Sequence, residues 1–172
     1  MRSVFCAIAS RKCATLIGEA RRRAILAVPS LRLDVAEALV AANARPGSII
    51  VRVVLDCDEE TFRLGYGEIA AIGLLRNAGV DVRQCSGLRT GLLIVDERAW
   101  IFTPTALYVQ ADVHSDETPN AIELAGSDVE RLAAAICPPQ EVAGDTPPDP
   151  QIGQTSLDHD TVERVEAALE LA

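Results

Sequence analysis

Aromatic side chains are scarce in this chain: one Trp, two Tyr and three Phe make up 3% of its 172 residues, while hydrophobic residues reach 49%. The core must therefore be aliphatic, built from Ala, Val, Leu and Ile, which suits a sheet buried between helices. Histidine is equally rare: His114 and His159 are the only two, and both lie in acidic, turn-rich stretches. No apolar run approaches the roughly 18–20 residues of a membrane span. The first ten residues are too soon followed by Arg11 and Lys12 to read as a secretory signal. These absences predict a soluble, cytoplasmic chain without a membrane segment. The five cysteines, at positions 6, 13, 57, 85 and 137, are odd in number and scattered, and no C-x-x-C pair occurs. Neither a disulfide framework nor a zinc site is indicated, and no metal or cofactor is expected. Buried or idle thiols are the ordinary reading. Cys85 is the one to follow, four residues before Arg89, although no histidine lies near it in sequence to activate it.

The net charge of -9 conceals an asymmetry. Residues 1–111 carry 14 basic and 11 acidic side chains, whereas residues 112–172 carry 2 and 14. An acidic total repels phosphates and argues against nonspecific nucleic-acid binding by this chain alone. The basic residues concentrate at Arg11, Lys12, Arg21, Arg22 and Arg23. The last three, at a helix end, would complement its dipole.

Hydrophobic spacing organises the chain into alternating elements. Ser10 caps a helix over 11–22, and 23–28 is a buried strand stopped by Pro29. Ser30 caps a second helix over 31–44, and 48–55 is almost wholly aliphatic, as a central strand would be. Residues 56–61 form a polar, acidic loop, without the glycine and terminal Glu of a calcium loop. A helix over 61–77, weakened by Gly65, Gly67 and Gly73, ends at Gly79. A strand at 80–83 and a hairpin of 91–95 with 99–103 follow, then strands at 107–109 and 121–124 and a helix from Ser127 to about Ile136. The organisation is a domain at 1–137, a proline-rich acidic linker at 138–156, and an amphipathic helix at 157–172 with Val162, Val165 and Leu169 on its apolar side. That helix docks on a partner, docks on its own domain, or opens a further domain.

One segment carries chemical information. Arg89, Gly91, Asp96, Thr103-Pro104 and Leu107 fall on the spacing His-x-Lys-x4-Asp, then Gly-Ser, then Asn. Around them, the blocks 24–29, 35–44, 49–56, 74–83 and 92–96 follow one another in the order and spacing of one repeat of a known family. The chain resembles the phospholipase D superfamily over about residues 15–137. Only Asp96 keeps the family's residue: Arg89 stands in place of the nucleophilic His, Gly91 in place of the phosphate-binding Lys, Thr103-Pro104 in place of Gly-Ser, and Leu107 in place of Asn. The reaction needs a neutral imidazole to attack phosphorus and a lysine cation to neutralise the developing charge. Arginine stays protonated at any accessible pH and cannot be that nucleophile.

The resemblance implies an α/β fold, a mixed, mostly parallel sheet flanked by helices, with one repeat amounting to half an active site. In that family two repeats face each other across a two-fold axis, and single-repeat chains form dimers. The leading expectation is therefore a pseudoenzyme module for self-association or assembly, as a homodimer or with a partner protein, through the face bearing 87–96 with Leu88 and Leu92. A second expectation is an anion or phospho-ligand sensor, in which Arg89 clamps a phosphate or carboxylate beside Thr90, Asp96, Thr103 and Thr105. Against it stands pairing of Arg89 with Asp96 or another local acid. A third is half of a nuclease or phosphodiesterase completed by another chain or domain.

Overall fold

The computed structural model describes residues 4–110, 118–136 and 152–171. Its centre is built from the most aliphatic stretches of the sequence. Strand β2 (Arg23–Ala27) runs parallel to β3 (Ile50–Leu55) in the register Arg23 to Ile50 through Ala27 to Val54, and β4 (Asp81–Gln84) lies parallel beyond β3. On the other side of β2 lies β5 (Gly91–Val95), antiparallel, followed by β6 (Arg98–Phe102) and β7 (Ala121–Ala125). Two-residue strands close the edges: β1 (Phe5–Cys6) on β7 and β8 (Thr155–Ser156) on β4. The sheet order is β1-β7-β6-β5-β2-β3-β4-β8.

The architecture is α/β, a mixed sheet flanked by helices, as expected. Its expected mostly parallel character is corrected: among the described residues only β2–β3 and β3–β4 are parallel, and the other five pairings are antiparallel. The reason is local. Asp96 and Glu97 form a two-residue turn, and so short a connection can join strands only antiparallel.

Because β2, β3 and β4 step across the sheet in one direction, right-handed crossovers place their helices on a single face. That face carries α1 (Ser10–Glu19), α2 (Leu33–Asn43) and α4 (Ile69–Asn77), with Ile17, Leu39, Ile72 and Leu75 packed on Leu26, Val53 and Leu93. The opposite face receives only one described helix, α5 (Ser127–Ile136). Its Val129, Ala133 and Ile136 cover Ile25, Ala27, Ile94 and Ala99.

Several expectations change in detail. The helix over 61–77 is two helices, α3 (Glu59–Arg63) and α4, because Gly65 turns with φ +86° and Gly67 lies against the backbone of Leu31. Residues 107–109 are a turn and not a strand: the Leu107 and Tyr108 N–H groups donate to the carbonyls of Gly65 and Leu64, away from the sheet. Of the expected linker, 138–151 lie outside the described residues. Thr155 and Ser156 within it pair with Gln84 and Arg83. Helix α6 (His159–Glu170), N-capped by the Asp158 carboxylate, docks on this chain's own core through Val162 and Val165. Among the described residues no helix is long and apolar enough to cross a membrane.

Candidate functional site

Parallel strands end in a shared crevice, where residues following their C-termini converge. Here the residues after β2, β3 and β4 meet the residues before β5. Asp56, immediately after β3, is buried and anchors this edge. Its Oδ2 accepts from Arg89 Nη1 at 2.7 Å and from the Gly87 N–H at 3.0 Å, and its Oδ1 accepts from Gln84 Nε2 at 3.3 Å. The Asp56 side chain is 3% exposed and that of Arg89 43%, so the carboxylate lies inside and the guanidinium bridges it to solvent. The hydrogen bond to Asp56 raises the Arg89 pKa further, and it remains a cation. A second Arg89 nitrogen, Nη2, lies 3.9 Å from Glu60. Around this pair opens a polar cleft of about 390 Å³, lined also by Asp58, Ser86, Thr161 and Arg164.

Asp96 does not join them. Arg89 precedes β5 and Asp96 follows it, so the strand itself, roughly 17 Å long at ~3.3 Å per residue, lies between them. Asp96 Oδ1 accepts from the backbone N–H groups of Arg21, Arg22 and Arg23 at 3.1, 2.7 and 3.1 Å, which ties the β5–β6 turn to the start of β2. Partial burial raises the Asp96 pKa, but those three donors outweigh it and hold the carboxyl below its ordinary value. Its φ of 53° is a conformation that Asp tolerates better than most residues. The arginine run serves this junction rather than a helix end. Arg22 pairs with Glu97, and Arg23 pairs with Glu130 and donates to the Asp96 carbonyl.

Gly91 and Phe102 face each other in the β5–β6 register, and the Phe102 ring fills the space where a side chain on Gly91 would begin. Thr90 and Thr103 flank this pair, both exposed at the sheet edge. Thr105 turns instead into a separate apolar cleft of about 70 Å³ among Ile8, Leu26, Val28, Val35 and Phe102. The sequence-derived set thus divides: Arg89 lines the polar cleft, Thr105 lines the apolar one, Thr90 and Thr103 are exposed and line neither, and Asp96 lies at the opposite end of β5.

Asp56 and Gln84 were missed by sequence reasoning. The acidic string at 56–61 reads as a solvated loop, yet Asp56 is buried and Asp58 N-caps α3 by accepting from the Glu60 N–H. The available signal was positional, since a carboxylate directly after an all-aliphatic strand lies at the end of a parallel sheet. Cys57 beside it is no nucleophile: burial, with Asp56 and Asp58, pushes its thiol up to about 11. Cys85 is only half-buried. Among the described residues no cluster of ligating side chains suits a metal ion.

Leu88 and Leu92, the expected contacts for association, are buried in the core beneath α5, and β5 is an interior strand. That surface is corrected, because side chains already packed within one copy cannot face another. Exposed apolar surface appears elsewhere on the same face. Ala27, Leu92, Ile101, Ile122 and Phe5 are successive cross-strand partners from β2 to β1, and their exposure rises outward through 0, 6, 39, 40 and 64%. Among the described residues, helix α5 covers the inner end of this row, and Ile101 and Ile122 lie beyond it, partly exposed.

No family model matches the chain, and no curated protein matches it. Among solved structures it is similar to TrmBL2, described as an archaeal chromatin protein with a novel mode of DNA binding, at a TM-score of 0.44 and 16% identity. The match covers 72% of this chain and 44% of that one, so the matched region spans less than half of TrmBL2.

Proposed function

We propose that this chain is a non-catalytic, phospholipase D-like cytoplasmic module that works by association, with a second copy or with a partner protein. The observation that carries the reading is the apolar row from Leu92 to Phe5, which leaves the core and emerges into solvent. A large apolar side chain gains roughly 1.5–3 kcal/mol on passing from full exposure to full burial, and the partly exposed Ile101, Ile122 and Phe5 each have a fraction of that still to gain, which favours a covering partner. The chemistry at the crevice agrees with this. The guanidinium in the nucleophile's position is held by a buried carboxylate, and the lysine's space is filled by an aromatic ring. Sedimentation of the purified chain from micromolar concentration upward should show reversible dimers or larger assemblies, and assays should show no hydrolysis of a phosphodiester. A strict monomer throughout that range, in the absence of any other protein, would remove self-association.

The polar cleft favours a second reading, an anion sensor. Arg89 and Arg164 line it together with the hydroxyls of Ser86 and Thr161. Asp56 already engages one arm of Arg89, and Asp58 and Glu60 add negative charge, which places this reading second. Titration with inorganic phosphate, followed by melting temperature in the native chain and in Arg164→Ala, decides it. A rise in the native chain that the variant loses supports a sensor.

A further inference from the structure

We propose that a second copy of this chain covers the open half of the sheet, across a two-fold axis that sets the α5 helices side by side. This rests on the association reading and specifies its surface. The partly exposed pair Ile101 and Ile122 is bordered by a groove of about 400 Å³ between β6, β7 and α5, whose floor and wall are Ile101, Leu124, Leu132 and Ala135. Among the described residues no other helix reaches this groove, because the right-handed crossovers place α1, α2 and α4 on the other face.

The charges on the groove select the occupant. Among the described residues its rim carries one acid and one base, Asp128 and Arg131, 3.6 Å apart and 58 and 80% exposed. A strongly basic or strongly acidic partner would leave one of them opposed by like charge. An isologous contact repeats every pairing about its axis, so an arrangement that sets Asp128 of one copy against Arg131 of the other makes that pair twice and matches both charges. The chain's net charge of -9 resists association elsewhere, whereas this patch is locally neutral. Ala134, exposed on α5, leaves room for close helix approach.

The test compares the native full chain with three variants, with sedimentation as the readout and circular dichroism as the control for folding. The double variant Ile101→Glu/Ile122→Glu alters side chains that are already partly exposed, and it should stay folded and become monomeric. Asp128→Arg should weaken dimerisation by about tenfold or more through like-charge opposition, and adding Arg131→Asp should restore it. If the native chain dimerises and the Ile101→Glu/Ile122→Glu variant does so equally, the surface is wrong while the association reading stands. If the native chain remains monomeric, this proposal falls together with self-association, and only association with a different protein is left of the reading. If Asp128→Arg weakens the dimer and the charge swap does not restore it, the two-fold arrangement is overturned.

Discussion

The ring of Phe102 occupies the space that a side chain on Gly91 would need: a Cβ there would stand 2.5 Å from the nearest ring atom. Gly91 has no positive φ, so glycine is required here for room and not for conformation. Gly91→Ala should therefore destabilise the fold by about 1–3 kcal/mol, the usual range for overpacking. Gly91→Ala in a Phe102→Leu background should cost less, and equal costs in both backgrounds would show that the ring is not the obstacle. Arg89→His with Gly91→Lys should likewise fail to create phosphodiesterase activity, since the lysine would have no space.

Arg89 is stabilising because Asp56 is buried. Removing the guanidinium leaves a carboxylate with only the Gln84 amide and the Gly87 N–H. Arg89→Ala should cost about 2 kcal/mol, less than the 3–5 kcal/mol of a fully buried pair because Arg89 itself is half-exposed. Arg89→Lys should cost less than Arg89→Ala. Chemical denaturation of the two variants checks the order.

Asp96 should make stability sensitive to acid. Its folded pKa lies below the unfolded value of 3.8, so its contribution is complete above about pH 4 and is lost as pH falls through the folded pKa. Asp96→Ala removes the acceptor for three backbone donors and should cost about 2 kcal/mol at neutral pH, roughly 5 °C in melting temperature. The gap between the native chain and the variant should narrow in acid. A constant gap down to pH 2.5 would mean that the carboxylate charge contributes nothing.

Much of this fold is legible in the sequence, and the illegible parts share a cause. Strand β3 announces itself because Ile50–Leu55 is aliphatic apart from Arg52, and α2 and α6 through their apolar faces. Strands β1 and β8, two residues each, are too short to show a period. The break between α3 and α4 depends on the close approach of Gly67 to Leu31, a tertiary event. The same holds at the site. Arg89 is visible by its spacing, but its partner Asp56 lies 33 residues away, and no local pattern joins them. Leu88 and Leu92 look available in sequence because nothing there places α5 above them.

Helix α6 belongs to the core. Leu157, Val162 and Val165 are buried, and β8 completes the sheet beside β4. Each such side chain contributes roughly 1.5–3 kcal/mol, so ending the chain at residue 151 should cost several kcal/mol and broaden or lower the thermal transition. An unchanged melting temperature would mean that the helix is only tethered.

Hydrogen exchange measured as a function of protein concentration tests the central claim most directly. If the open sheet face is where this module meets a second copy, peptides covering Arg98–Phe102, Ala121–Ala125 and Ser127–Ile136 should gain protection between low micromolar and hundred-micromolar protein, while His159–Glu170 should not change. Exchange that is independent of concentration in all of these segments, or a gain confined to His159–Glu170, would contradict the account.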